Sequence, residues 1–144
     1  MIAYHLSCGS KKLIIHSEAP EELMIYADRN MISTVLRNLV SNAIKFTSEN
    51  GEIFLKIDHA ENQYTFQITD TGVGISEEDL KKLFRSDIHF QKKGTNKESG
   101  TGLGLLLIKN FVEMHSGNII VESKQGKGTT FKFTAPLFID DAVA

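Results

Sequence analysis

At 144 residues the chain has the length of one ordinary domain, enough to bury roughly two thirds of the surface its unfolded form would expose. Its 41% hydrophobic and 24% charged residues, with a formal net charge of -2, describe a soluble globular chain rather than a disordered or membrane-spanning one. No run approaches the roughly 20 apolar residues of a membrane span. Lys and Arg form no stripe for nucleic acid, the single Cys8 cannot make an internal disulfide, and the N-terminus is not built like a signal peptide. A reducing, cytoplasmic setting is expected.

Lys12 to Ser17 reads as a first strand and Glu18 to Glu22 as the turn after it. From Met31 to Phe46 the residues Ile32, Val35, Leu36, Leu39, Val40, Ala43 and Ile44 recur at three and four, predicting a helix with one buried face and Asp28 as N-cap. Ile53, Leu55 and Ile57 alternate with polar neighbours, as do Tyr64, Phe66 and Ile68 after a turn at Glu61-Asn62, so the two runs predict a hairpin. Beyond a turn over Asp70 to Gly74, Ser76 and Asp79 resemble a capping box, and Ile75 and Leu80 stand at staple positions of a short helix ending near Phe84.

Arg85 to Gly100 carries no sustained period, the pattern of a lid or a disordered connector. An apolar helix follows from Leu103 to Met114, with Gly117 placed to stop it. Ile119 to Val121 and Thr129 to Thr134 are the last of five predicted strands, joined through Lys124 to Gly128. There is no internal repeat and no second domain.

Three polar or glycine-rich clusters sit where these elements end or turn. Asn38 and Asn42 are four apart on the first helix and Lys45 follows three later, so all three project from its polar side. Amide oxygens there could hold a hard divalent cation carrying phosphates, with Lys45 adding a point charge; a solvated helix face is the plainer reading. Asp70, directly after a strand and followed by Gly72 and Gly74, could accept from an exocyclic amine such as that of adenine, or could bond its own turn backbone. Gly100, Gly102 and Gly104 lead into the last helix, whose free N–H groups make an anion seat unless the glycines merely soften the helix start. Their spacing is neither the dinucleotide fingerprint nor a P-loop. Lys92, Lys93 and Lys97 stand nearby as phosphate neighbours. The five histidines share no spacing that suggests a metal site or an acceptor.

With these clusters in order, the chain resembles the catalytic and ATP-binding domain of sensor histidine kinases, in the superfamily that also holds type II topoisomerase, Hsp90 and MutL ATPase domains. Asn38 to Thr47 looks like the N box, Asp70 to Gly74 like G1, Phe84 like the F-box phenylalanine, Gly100 to Leu105 like G2, and Gly126 to Thr130 like the last glycine box. The resemblance implies the Bergerat fold, an α/β two-layer sandwich with a mixed five-stranded sheet covered on one face by three helices. It implies ATP and Mg²⁺ as cofactors, with Asp70 under the adenine, Asn42 and Asn38 at the metal and Lys45 near the phosphates. Phe46, Gly72, Gly74, Ile75, Phe84, Lys97, Gly100, Thr101, Gly102, Leu103, Gly104, Leu105 and Thr129 would complete the nucleotide site.

ATP-hydrolysing branches of the superfamily usually carry a glutamate one turn before the metal-binding asparagine, where this chain has Asn38. An amide is no general base for water, so the site should present the γ-phosphate to a better nucleophile. The resemblance implies residues 1–10 as the remnant of a connection to a helical dimerisation domain, 11–138 as the catalytic domain with a lid over about 85–100, and 139–144 as a tail. The partners implied are that domain's acceptor histidine and, through it, a response regulator, with no nucleic acid and no direct membrane contact. Alone, the chain should bind ATP without autophosphorylating. A nucleotide-binding regulatory module and a serine kinase of the anti-sigma type share nearly the same motifs.

Overall fold

The computed structural model describes residues 2–8, 11–84 and 104–136. Six strands, β1 (Ile2–Cys8), β2 (Lys11–Glu18), β3 (Glu52–His59), β4 (Gln63–Asp70), β5 (Ile119–Lys124) and β6 (Gly128–Pro136), form one sheet in the order β1-β2-β3-β4-β6-β5. Only β2 and β3 run parallel, with α1 (Arg29–Phe46) between them in sequence; the other neighbours are antiparallel. Two further helices, α2 (Glu77–Leu80) and α3 (Gly104–Met114), complete an α/β sandwich.

Strand alternation sends one set of side chains to the helices. Leu13, Ile53, Phe66, Ile68, Phe131 and Phe133 meet Ile32, Val35 and Leu39 of α1 and Ile108 and Val112 of α3 in a single buried cluster. Phe66 and Phe133, paired in register on β4 and β6, stack with centroids 4.6 Å apart and anchor its centre. Lys11 is buried at the edge of this layer and donates from Nζ to the carbonyl oxygens of Ile44 (3.0 Å) and Lys45 (2.9 Å). It supplies a cation and two donors to the C-terminal turn of α1, the helix end that a positive charge favours.

The caps follow the sequence. Asp28 accepts from Met31 N at 2.9 Å and Ser76 Oγ from Asp79 N at 3.2 Å. The start of α1 is also tied to the end of α3, because Asp28 N–H donates to His115 Nε2 (2.8 Å). Nε2 therefore accepts, and Nδ1 carries the proton it shares with the Phe111 carbonyl (2.7 Å).

One expectation changes and one is met with a different residue in the left-handed position. The sheet has six strands, not five: β1 pairs antiparallel with β2 from Ile2↔Ser17 to Cys8↔Lys11 as an edge strand. At the end of α3 the left-handed residue is Ser116 (φ 57°), while Gly117 closes the helix by donating to Val112 O at 3.0 Å. Among the described residues no helix is long and apolar enough to cross a membrane.

Candidate functional site

The last residue of β4 is Asp70, paired across the sheet with Thr129 of β6. Both point to the helix layer, into a cleft between α1, the turn after β4, and the start of α3. Counted with the open solvent at its mouth, the cleft takes in about 420 Å³. Its walls are Phe46, Ile75, Leu83, Leu105 and Phe131; Asn42 stands on the α1 side, and Gly74, Asp70 and Thr129 complete the lining. Asp70 is the one ionisable side chain among these residues.

The turn that follows Asp70 is fixed from three sides. Gly72 N–H donates to Asp70 Oδ1 at 2.8 Å, Val73 N–H to Phe46 O at 3.1 Å at the end of α1, and Gly126 N–H to Val73 O at 2.7 Å in the β5–β6 hairpin. Gly74 and Gly128 make the close approach possible. They have φ of +70° and +101°, and a Cβ on them would stand 2.1 Å from Lys124 O and 2.0 Å from Asp70 O. Ser123 of β5 adds a side-chain tie: its Oγ accepts from Ile75 N–H (2.8 Å), lies 2.9 Å from Gly128 O, and lies 2.8 Å from Thr129 Oγ1.

Asp70 is only 6% exposed. Burial pushes its carboxyl up to about 6, against the Gly72 and Thr129 backbone N–H groups, which pull it down. The turn bond to Gly72 that a plain structural aspartate would make is therefore present, but the same side chain also faces an apolar cleft. A buried acceptor in such a cleft suits the N–H of a flat heteroaromatic ligand lying between the Phe46, Ile75, Leu105 and Phe131 walls.

Of the residues singled out from the sequence, Asn42, Phe46, Asp70, Gly74, Ile75, Leu105 and Thr129 come together in this lining. Asn38 lies one turn before Asn42; its Nδ2 donates to Thr34 O at 2.7 Å, and its Oδ1 is 3.4 Å from where a Cβ on Gly104 would lie. Lys45 Nζ sits 5.0 Å from the Phe46 ring centroid. Phe84 is not in the lining: it packs on the core with Lys109 Nζ 6.0 Å from its ring, and the preceding Leu83 faces the cleft instead. Lys92, Lys93, Lys97, Gly100, Thr101, Gly102 and Leu103 lie outside the described residues. Leu83 and Phe131 went unrecognised because an apolar residue lining a cleft has the same sequence pattern as one in the core.

Among the described residues no group of three or more His, Cys, Asp or Glu is placed to hold a metal. Among the described residues, the amide oxygens of Asn42 in the lining and of Asn38 one turn earlier could serve a hard ion that keeps phosphate or water ligands, and do not suit a thiol- or imidazole-seeking metal.

The profile of the family described as "Histidine kinase-, DNA gyrase B-, and HSP90-like ATPase" matches residues 27–139, a span holding every element of the cleft. The chain belongs to this family. Within it the likeness is to the catalytic, ATP-binding domain of sensor histidine kinases. The adaptive-response sensory kinase SasA of Crocosphaera subtropica is 39% identical over 130 residues, 89% of this chain and 34% of that protein. The catalytic domain of histidine kinase ThkA superposes with a TM-score of 0.74 at 33% identity, over 87% of this chain and 80% of that one. ThkA in complex with response regulator protein TrrA gives 0.70 at 30% identity, over 88% of this chain and 34% of that one. The chain thus spans about a third of the SasA relative, the length of a histidine-kinase catalytic domain. This family's ATPase domain binds the nucleotide ATP, and its fold here brings Asp70 and Asn42 into one cleft, with Asn38 one turn earlier on α1.

Proposed function

We propose that the cleft holds ATP with its adenine against Asp70, and that the chain serves a cytoplasmic sensor kinase by presenting the γ-phosphate to a histidine on a helical dimerisation domain. The observation that carries this is the buried Asp70 carboxylate at the end of an apolar cleft whose other side bears Asn42, with an amide rather than a carboxylate one turn earlier at Asn38. Asp70 selects the base by accepting from its exocyclic amine. Phe46, Ile75, Leu105 and Phe131 exclude water from the ring faces, and Thr129 sits beside the carboxylate.

Asn42 and Asn38 would hold Mg²⁺, which when bound neutralises phosphate charge during transfer. Lys45, together with Lys97 and the N–H groups of 100–104, would serve the phosphates. In the transfer the bond from the γ-phosphorus to the β-bridging oxygen breaks, a P–N bond to the imidazole forms, and ADP leaves. With no carboxylate at position 38 to take a proton from water, hydrolysis is not favoured over transfer. A response regulator as the next acceptor follows from the kinase reading and from the ThkA complex with TrrA.

The test is labelling from ATP carrying a γ-phosphate label, with and without a histidine-bearing helical dimerisation domain fused ahead of residue 1. The fused protein should take up acid-labile, base-stable phosphate and the chain alone none; an acid-stable product would indicate a serine acceptor and overturn the reading.

A further inference from the structure

Ser123 stands on β5 directly opposite Thr129, which stands on β6 directly opposite Asp70, so three polar side chains form a row across three strands on the helix-facing side. The Ser123 hydroxyl has one proton and three neighbours. Ile75 N–H can only donate to it (2.8 Å), and the Gly128 carbonyl can only accept from it (2.9 Å). Its proton is thereby committed to Gly128, and the 2.8 Å contact with Thr129 Oγ1 is made only if Thr129 donates. This is the one assignment that satisfies all three contacts. It leaves Thr129 Oγ1 with lone pairs alone to offer the cleft that Thr129 lines.

From this proton count we infer that Ser123 is a positioning residue for base selection: by holding the Thr129 proton, it makes the end of the cleft an acceptor-only surface that takes an exocyclic amine and rejects a carbonyl. The inference rests on the reading of the cleft as an adenine site and adds how discrimination is enforced. Asp70 is one acceptor group, and its Oδ1 already accepts from Gly72 N–H. With Thr129 locked, two acceptors on adjacent strands face an amine that has two N–H groups. A 6-oxo purine in the same place would set its carbonyl oxygen against both with no donor available, leaving buried acceptors unpaired. Ser123 also holds Ile75, a wall of the same cleft, through the Ile75 N–H. In the absence of Ser123 the Thr129 hydroxyl is released to rotate and donate into the cleft, which would admit the carbonyl.

The test is equilibrium binding of ATP and of inosine triphosphate, each with Mg²⁺, to the whole chain. These ligands share sugar and phosphates and differ in the amine. Ser123→Ala should reduce the preference for ATP by about three- to tenfold, the worth of one hydrogen bond. Ser123→Thr, which keeps the hydroxyl, should restore it. Thr129→Val alone should also reduce the preference, and Ser123→Ala added to Thr129→Val should change it no further. Equal loss of both nucleotides in Ser123→Ala, or a further change of the ratio in the Thr129→Val background, overturns the inference. So does an unchanged ratio in Thr129→Val, which is read even if Ser123→Ala does not fold. Failure of the unsubstituted chain to bind ATP at all overturns the adenine reading itself.

Discussion

Asp70 is the residue on which stability and the proposed nucleotide binding pull in opposite directions. Its carboxyl titrates at about 6 in the fold against 3.8 unperturbed, because burial disfavours the charged form more than the Gly72 and Thr129 N–H groups favour it. The folded state therefore binds this proton more tightly than the unfolded state does. The stability tied to that proton is fully present below the unfolded pKa and is lost as pH rises through about 6. Roughly two pKa units correspond to about 3 kcal/mol, so the nucleotide-free domain at pH 7.5 carries that much destabilisation from one side chain. Asp70→Asn keeps an acceptor for Gly72 N–H without the charge. It should raise unfolding free energy at pH 7.5 by about 1–3 kcal/mol, with the gain shrinking toward pH 4, as read by denaturant titration of both proteins. The same substitution should weaken ATP binding, and ATP affinity of the unsubstituted chain should fall below pH 6 as the carboxylate is protonated. A neighbouring expectation concerns Asn42: Asn42→Asp should lower Mg-ATP affinity by about tenfold, because a negative charge would then face the phosphates, and calorimetric titration checks it.

At the scale of elements, α1 is the piece that assembles the site, since it carries Asn38, Asn42 and Phe46 and receives the turn after β4 at its last carbonyls. Its end is held by Lys11. Lys11→Met preserves length while leaving the Ile44 and Lys45 carbonyls without their ammonium donor, and should cost about 1–3 kcal/mol in unfolding free energy, measured by chemical denaturation. Removing the cap at its start, Asp28→Ala, should cost about 1 kcal/mol in the same measurement. These elements were legible in the sequence because each carries a local signal: three-four periodicity in α1, a cap at Asp28, alternation in β3 and β4, and Ser76 before Asp79. Edge strand β1 was missed although Ile2 and Tyr4 alternate with Ala3 and His5 and Gly9-Ser10 follows. Both Ile2 and Tyr4 are more than half exposed in the fold, so nothing in their pattern required a partner. Ser123 and Leu83 were illegible for another reason. Their roles arise from cross-strand register and from which side of a short turn faces a cavity, and neither is a property of nearby sequence.

Across the described residues the molecule is a sheet with helices packed on one face, and that layer is interrupted at the Asp70 end by a cleft. That interruption explains why the motif residues fall at the ends of β4 and α1 and at the start of α3: loops and termini there converge on space the core does not fill. The clusters legible in the sequence supplied the cleft's polar groups, and the packing supplied its walls. A domain so built suits the division of labour proposed for it, in which it holds the nucleotide and a partner brings the nucleophile. The central claim is that a buried carboxylate gives this cleft its adenine selectivity, and calorimetric titration of Mg-ATP and Mg-GTP into the unsubstituted chain and into Asp70→Asn at pH 7.5 tests it most directly. The account predicts binding of ATP with discrimination against GTP, and loss of that discrimination in Asp70→Asn; equal affinity for the two nucleotides, or discrimination unchanged by Asp70→Asn, would contradict it.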